Sequence, residues 1–475
     1  MLRAFLTHSL IYGAATIMTR GAALVLLLVL PFFLDPAEYG ALALIMTVNA
    51  FALILVPLEV TQGLARYFPA SPPEEAALYA GSAWWFTLTM LALMIAVGAL
   101  LAGPASELLL GREGEALLIW IALPMFAGNA LFYFVQAQLR WEFRPGEYFL
   151  LSLLFSAALV GLALGLASVA SRPLEGVIAG QAIAALAVAG IGALLVRRTI
   201  FRRPNKEKLG DLLRFSLPLV PGGFAIYTSQ YVNRFILNGY STLADVGIFT
   251  FASQIAGIAT LLTMGVQASL APLVMAHYKE PETPTTIARA FEAFVALSLC
   301  LCLFLGLLGP DAILHFGDSD YLGAGPLILI LAPASVMSGM YVFAPGFMIA
   351  KKTLWQMGVS IAGAALSVGM GFLLIPRLGA LGAALATLAA AAFWLVLWFG
   401  LSQRLYPVPV RWLRLAALLP AAAAAALAGR LIEADGVWMG IALDLAFIAG
   451  LAAVAVALDL VPLGKLLRFA RRPRS

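Results

Sequence analysis

Apolar residues run along this chain in continuous stretches of about 20 residues, the length an α-helix needs to cross the hydrocarbon core of a bilayer. The stretches are separated by short segments that carry most of the charged residues, prolines and glycines. Weak alternation over about ten residues, which is typical of outer-membrane barrels, is not the pattern here. The sequence predicts about fourteen helices, at residues 9–33, 41–63, 81–102, 116–138, 147–169, 175–196, 216–238, 246–271, 288–309, 323–347, 355–375, 379–402, 412–432 and 437–461.

Composition agrees with the pattern. Hydrophobic residues make up 63% of the chain, charged residues 11%, and the mean hydropathy is +0.98, whereas a soluble domain carries about 25% charged residues. We therefore predict an all-α, polytopic membrane protein. Most of the 29 Lys and Arg residues fall in loops on one side of the predicted membrane. This bias predicts that both termini are cytoplasmic, and it accounts for the net charge of +5 without a nucleic-acid partner.

The densest basic segment, residues 197–214, lies after the sixth predicted helix and carries seven Lys and Arg residues. It is too polar to enter a bilayer, so we expect a cytoplasmic loop that tethers two halves and lies near the anionic inner leaflet. The predicted organisation is a six-helix lobe (1–196), this linker, a second six-helix lobe (215–403), and two extra helices with a basic tail (404–475).

A short sequence echo supports a repeat. Residues 36–40 (PAEYG) and 243–247 (LADVG) both place an acidic residue two positions before a glycine, with an offset of 207 residues. With six helices in each half, the two copies keep the same orientation and are related by an axis along the membrane normal. The match is short enough to arise by chance.

Two arginines fall inside predicted spans, Arg20 in the first helix of the first half and Arg234 in the first helix of the second. Either side chain can reach an interface, or both can face a polar cavity. A guanidinium group binds phosphate well because its donors form a fixed fork. Together the two arginines suggest a cationic site.

Other polar residues accompany these arginines. Glu59, Gln62 and Arg66 are spaced to share one face of the second span, while Gln230 and Asn233 precede Arg234. We expect Gln62, Arg66, Gln230 and Asn233 to contribute to substrate binding, and Glu59 either to couple transport to an ion or to pair with Arg20. Interhelical hydrogen bonding is the competing explanation for these polar groups.

Several segments resemble the polysaccharide transporter (oligosaccharide flippase) family of the multidrug/oligosaccharidyl-lipid/polysaccharide exporter superfamily. They are residues 375–387 (IPRLGALGAALAT), 212–221 (LLRFSLPLVP), 233–237 (NRFIL), 244–249 (ADVGIF) and 35–40 (DPAEYG). Many members of that family have Asp-Arg where this chain has Asn233-Arg234, which weakens any transfer of ion coupling to this position.

The resemblance implies two six-helix lobes around a central cavity, followed by two extra helices. It also implies a flippase of the bacterial inner (plasma) membrane that moves a polyprenyl-diphosphate-linked oligosaccharide to the outer leaflet by alternating access, for cell-surface polysaccharide export. Arg20, Arg66 and Arg234 are its candidate diphosphate ligands. The expected partners are the lipid-linked oligosaccharide, membrane lipids, H⁺ or Na⁺, and a polysaccharide polymerase or glycosyltransferases.

Two other functions stay open, a drug or cation antiporter of the same superfamily and a non-transporting scaffold of a polysaccharide synthase complex. The antiporter would need acidic cavity groups, and Glu59 is the clear one. No phosphate-binding loop, zinc-protease motif or nucleophile elbow is present in the sequence. We therefore expect no enzyme activity, catalytic residue, metal or cofactor.

Overall fold

The computed structural model describes the backbone of residues 2–111, 115–316, 319–432 and 437–461. Side chains are described within these ranges except at residues 2–10, 268, 269, 271, 272, 311–316, 353 and 437. The described residues contain helices and turns and no strand. Eleven of these helices are long and apolar enough to cross a membrane, and a bent pair adds a twelfth. The prediction of a helical, multi-pass membrane protein is confirmed.

The chain divides into two compact units. The first comprises residues 1–238 and 242–247, and the second comprises residues 239–241 and 248–475. The helices that begin in the first unit are α1 (Leu2–Val29), α2 (Pro36–Leu55), α3 (Val60–Tyr67), α4 (Pro73–Leu100), α5 (Ala102–Leu110), α6 (Ala116–Trp141), α7 (Pro145–Val169), α8 (Pro173–Leu195), α9 (Arg197–Ile200), α10 (Lys206–Ser216), α11 (Val220–Tyr240) and α12 (Leu243–Gly257). Those of the second unit are α13 (Ala259–His277), α14 (Thr283–Phe316), α15 (Ala324–Met337), α16 (Gly346–Ile349), α17 (Thr353–Gln403), α18 (Trp412–Leu431) and α19 (Val437–Ala457).

Each of the fourteen predicted spans overlaps helical residues, but the breaks fall differently. The eighth span is the bent pair α12 and α13, and the tenth is shortened to α15. The eleventh and twelfth fall within the range of α17, which contains two helices separated by a kink at Gly379, where φ is 56°. That left-handed conformation favours glycine. Fourteen membrane crossings and the proposed lobe boundaries remain predictions, and the basic tail at 462–475 lies outside the described residues.

The second span is broken where the sequence predicted a continuous helix. Helix α2 ends at Leu55, and α3 begins at Val60. Leu58 and Glu59 between them have φ values of 49° and 55°. Non-glycine residues in this left-handed region cost roughly 1–2 kcal/mol each, so the surrounding packing must hold the break in place. Glu59 therefore precedes α3 and does not share a continuous helical face with Gln62 and Arg66.

The central basic segment is helical and docked, which differs from the predicted loop. It contains α9 and α10, and α10 begins at an Asn205 cap whose side chain accepts a hydrogen bond from the amide of Lys208 at 3.1 Å. The hydroxyl of Ser82 in α4 donates to the carbonyl of Asn205 at 3.2 Å and accepts from its amide at 2.8 Å. Further along α10, Asp211 accepts a hydrogen bond from the hydroxyl of Tyr79 at 2.9 Å.

Small residues let this segment approach its neighbours closely. A Cβ added to Gly81 would lie 2.7 Å from the carbonyl oxygen of Arg202, and one added to Gly63 would lie 2.9 Å from that of Leu212. Lys208 also forms an ion pair with Glu75. The segment is therefore fastened to α3 and α4 along its length, while Arg202 remains exposed.

One helical hairpin occurs in both units with the same contact. A Cβ on Gly176 in α8 would meet the carbonyl oxygen of Leu166 at 2.5 Å, and a Cβ on Gly382 in α17 would meet that of Leu374 at 2.4 Å. In each case a glycine lets the later helix of the hairpin pack on the backbone of the earlier one. The recurrence at an offset of about 207 residues agrees with the repeat suggested by the sequence echo.

An ion cluster attaches the last two helices to the second unit. Arg411, just before α18, donates to the carboxylate of Glu292 in α14 from its amide at 2.9 Å and from its guanidinium at 2.5–3.0 Å. Its Nη1 donates to Asp459, beyond α19, at 2.9 Å, and Arg414 donates to the same carboxylate at 3.1 Å. Glu292 is almost fully buried, with a side-chain exposure of 1%.

Candidate functional site

Arg234 lies within α11 and is buried, with 8% of its surface exposed. Its Nη1 donates a hydrogen bond to the hydroxyl oxygen of Thr47 in α2 at 3.3 Å. That hydroxyl donates in turn to the carbonyl of Ala43 at 2.8 Å, which leaves its oxygen free to accept. The guanidinium carbon also lies 5.0 Å from the centre of the Tyr231 ring, within the range of a cation–π contact. Arg234 is thus fixed by a hydroxyl and a ring.

Arg234 has no acidic counter-ion among the residues that the structure describes. None of the ion pairs found among these residues involves Arg234, and its buried Nε atom has no hydrogen-bond partner. A buried charge without a partner is costly, and inside a membrane it marks a position where an oppositely charged group is needed. The arrangement therefore suits an anionic ligand.

Arg20 lies in α1, is exposed, and acts electrostatically on Tyr133 of α6 and Tyr227 of α11. Tyr133 in turn interacts with Tyr231, whose ring lies against Arg234. The two arginines that the sequence paired are therefore linked through a row of tyrosines. This row was not predicted.

Glu59 approaches the start of α11 from the break between α2 and α3. Its Oε1 lies 3.0 Å from the position that a Cβ on Gly223 would occupy, so the carboxylate lies close against the backbone of α11. Glu59 is half-buried, hydrogen-bonds with the Gln62 side chain and lies within electrostatic range of Tyr227. One carboxylate thus joins the site near the interrupted beginning of α11.

The remaining predicted residues are distributed unevenly. Asn233 is buried beside Arg234, whereas Gln230 is exposed on the same helix. Gln62 and Arg66 are both exposed on α3. The structure thus brings Arg20, Glu59 and Arg234 to one set of tyrosines and places Arg66 at the end of a short helix.

Four residues of the site were not predicted from the sequence, and these are Thr47, Tyr133, Tyr227 and Tyr231. One signal was available, because Tyr227, Tyr231 and Arg234 are spaced by four and three residues and so share a helical face. Tyr133 carries no such signal, since its position depends on how α6 packs. Among the described residues, no three His, Cys, Asp or Glu side chains are close enough together to hold a metal ion.

The profile of a family described as "Polysaccharide biosynthesis protein" matches residues 5–278, more than half of the chain. The chain belongs to this family. The predicted family is confirmed, and the matched region contains every residue of the candidate site.

This member of the polysaccharide biosynthesis protein family shares its fold with two solved structures. The lipid II flippase MurJ in an inward closed conformation is 13% identical, with a TM-score of 0.74 over 95% of this chain and 98% of that chain. An inward-facing multidrug resistance MATE family transporter of the MOP superfamily is 17% identical, with a TM-score of 0.66 over 85% of this chain and 95% of that one. At these identities the likeness concerns the fold.

A sequence relative adds only a local match. Membrane protein SCO5905 of Streptomyces coelicolor is 30% identical over an alignment 171 residues long, and the match covers 32% of this chain and 18% of that protein. The chain therefore covers less than one fifth of that relative's length.

Proposed function

We propose that this protein is a flippase that moves a polyprenyl-diphosphate-linked oligosaccharide from the inner to the outer leaflet of the bacterial plasma membrane. A diphosphate and a sugar cannot cross a hydrocarbon core unaided, because the desolvation cost is too high. The protein shields the polar head while the lipid tail stays in the bilayer, and it works by alternating access with both termini in the cytoplasm. The product serves cell-surface polysaccharide export.

The buried guanidinium of Arg234 is the observation that carries this proposal. It lies in a membrane-spanning helix without a carboxylate partner in the described part of the chain. A diphosphate supplies the missing charge and accepts hydrogen bonds from the fixed donors of a guanidinium. Arg20 contributes a second positive charge across the tyrosine row, and Asn233 contributes a neutral donor. We assign to the entry of the head group three exposed residues, which are Arg66, Gln62 and Gln230.

The test is transport by the purified full-length chain in liposomes, with a fluorescent undecaprenyl-diphosphate-linked sugar as substrate. Arg234→Gln should lower the initial rate about ten- to hundred-fold, the loss expected for a hydrogen bond to a charged group worth about 1.5–3 kcal/mol. Arg234→Lys should recover only part of the rate, because lysine keeps the positive charge but lacks the planar set of donors of a guanidinium group. Arg404→Gln, at an exposed arginine far along the chain, is the matched control.

Each outcome has a defined consequence. A wild-type rate in Arg234→Gln, with normal incorporation into the liposomes, contradicts the proposal. No movement by the wild-type protein, with movement restored by an added polymerase or glycosyltransferase, favours the scaffold function. The polymerase and glycosyltransferases are otherwise proposed as partners that make or consume the substrate.

Glu59 is proposed to couple transport to H⁺ or Na⁺. Its Oε1 lies 3.0 Å from the position of a Cβ on Gly223 near the start of α11, so any shift of α11 changes the surroundings of this carboxylate. Glu59→Gln should remove the response of the transport rate to an imposed pH or Na⁺ gradient while leaving substrate binding intact. A gradient response equal to that of the wild type would exclude this role.

A drug or cation antiporter is the second candidate, and the similarity to a MATE transporter favours it. Such a protein binds cations, so its site should carry more negative than positive charge. Here Glu59 is outnumbered by Arg20 and Arg234. Export of a cationic dye by liposomes containing the protein, abolished by Glu59→Gln and unaffected by Arg234→Gln, would favour this candidate over the flippase.

A further inference from the structure

Three tyrosines lie between the two arginines of the candidate site. Tyr133 belongs to α6, and Tyr227 and Tyr231 are one turn apart on α11 with ring centroids 5.7 Å apart and planes inclined by 35°. Tyr133 interacts electrostatically with Tyr231, and Tyr227 with Tyr133. The three phenol groups thus form one cluster, here called the tyrosine row.

Tyr133 is partly exposed on α6. Its exposed fraction is 49%, although its neighbours Phe132 and Phe134 are fully buried. Trp120, near the start of the same helix, is 53% exposed. At about 100° per residue, Tyr133 points roughly 140° away from Trp120. The two exposed residues therefore lie on different sides of α6, and Tyr133 is the one that interacts electrostatically with Tyr227 and Tyr231 of α11.

The positive charges of Arg20 and Arg234 determine which ligands can bind beside the tyrosine row. Arg20 acts on Tyr133 and Tyr227, while Arg234 lies against the ring of Tyr231. A cationic ligand would be repelled by both guanidinium groups. An anionic group bound by either arginine would place whatever is attached to it beside the phenol rings.

Phenol groups suit a sugar for two reasons. Their faces are flat and apolar and match the C–H faces of a pyranose ring, while their hydroxyl groups both donate and accept hydrogen bonds. Tyrosine therefore offers apolar area and a polar edge in a rigid side chain. At the Tyr227 end of the row, the Glu59 carboxylate adds an acceptor for sugar hydroxyls.

We propose that Tyr133, Tyr227 and Tyr231 form a sugar subsite that holds the first saccharide ring next to the diphosphate. This inference rests on the proposed flippase function and adds a selectivity to it. The protein distinguishes a glycosylated lipid carrier from the bare carrier. A bare polyprenyl diphosphate, which is the form left after the glycan has been transferred, fills only the arginine part of the site.

The test compares two probes, undecaprenyl diphosphate and undecaprenyl diphosphate N-acetylglucosamine, bound to the full chain in detergent and measured by native mass spectrometry. The readout is the ratio of the two affinities. The wild type should prefer the glycosylated probe, and the double variant Tyr133→Leu/Tyr227→Leu should lower that ratio about ten-fold while binding the bare carrier as before. Trp120→Leu, on the opposite side of α6, should leave the ratio unchanged. Arg234→Gln should weaken both probes together.

A double Phe variant separates the loss of sugar contacts from any misfolding caused by removing the rings. Tyr133→Phe/Tyr227→Phe retains both rings and should lower the ratio about two- to three-fold through the lost hydroxyl groups. A wild-type ratio of one overturns the sugar subsite but leaves the flippase proposal standing, as does an unchanged ratio in both the Leu and Phe variants. Failure of the wild type to bind either probe overturns both proposals.

Discussion

Gly40 and Gly247 pack against each other with almost no space between their backbones. A Cβ on Gly40 would lie 1.9 Å from the carbonyl oxygen of Leu243, and one on Gly247 would lie 1.9 Å from that of Pro36. The contact is reciprocal, because Leu243 follows Pro36 by 207 residues and Gly247 follows Gly40 by the same number. The two segments that echo each other in the sequence are therefore in contact, related by a local twofold.

Gly40→Ala should destabilise the protein by about 2 kcal/mol or more, because the methyl group meets a backbone that can yield only if the helices separate. Gly165→Ala in α7 is the matched control, since a Cβ there meets nothing within 4 Å. It should be neutral or stabilising by up to about 1 kcal/mol, because alanine favours helix. Thermal unfolding of both variants in detergent measures the difference. Equal midpoints would contradict the close packing.

Arg411→Ala should destabilise the second unit by about 3–5 kcal/mol, because it leaves the buried carboxylate of Glu292 without its partner. Arg414→Ala is the control. That arginine bonds to Asp459, whose side chain is 70% exposed, and an exposed ion pair stabilises a fold much less than a buried one does. Chemical denaturation of the two variants gives the comparison. A smaller loss for Arg411→Ala than for Arg414→Ala would contradict the assigned roles.

The Asp459 ion pair should respond to acid but not to moderate changes in pH. Hydrogen bonds from Arg411 and Arg414 hold the pKa of Asp459 below its ordinary value, and the hydrogen bonds from Arg411 to Glu292 and Asp459 raise the pKa of that arginine. Because the pKa of Asp459 is lower in the folded state, the pair stabilises the fold at any pH above the unfolded value of about 3.9. That stability is lost as the pH falls through the folded pKa.

The measurement is the melting temperature of the wild type and of Asp459→Asn between pH 3 and 9. The difference between them should be constant from about pH 5 upward and shrink below about pH 4. A difference that instead changes between pH 6 and 8 would show that another group controls the docking of the last two helices.

Ser82→Ala should release the basic segment from α4, because the Ser82 hydroxyl bonds both the amide and the carbonyl of Asn205. Limited trypsin digestion should then cut between residues 197 and 206 roughly ten-fold faster, as expected when unmade hydrogen bonds cost about 1–3 kcal/mol. Thr89→Ala removes a hydroxyl that bonds only within α4 and is the control. Unchanged cleavage would show that other contacts hold the segment.

The sequence was sufficient to predict the helices and the family, because apolar length and loop charge depend on the membrane and not on packing. The break at Leu58 and Glu59 was not predictable in the same way. Neither residue favours a positive φ, and Pro57 before them is compatible with an ordinary kink. The conformation is decided by what packs around it, which a single sequence does not contain.

The candidate site was predicted through its charged residues and neighbouring amide side chains such as Asn233, and not through its tyrosines. Arg20 and Arg234 stand out because a charge is rare in an apolar span, whereas a tyrosine in such a span is ordinary. The role of Tyr133 depends on the packing of α6, which brings this residue within electrostatic range of Arg20. The docked linker was missed for a related reason, since its positive charges predict a loop and Gly63 and Gly81 do not reveal which backbone approaches them.

The fastening of the basic segment to α4 determines where α11 can bend. The described contacts of the segment run as far as Leu212, and α10 ends at Ser216. The next residues are a 3₁₀ turn, Leu217–Leu219, followed by the start of α11 with Pro221, Gly222 and Gly223. The part of α11 from Gly223 to Arg234 is about 16 Å long. A tilt of about 10° at its base displaces Arg234 by about 3 Å. This displacement is comparable with the 3.3 Å distance between Arg234 Nη1 and the Thr47 hydroxyl oxygen. A small rotation at one turn is therefore enough to break that hydrogen bond.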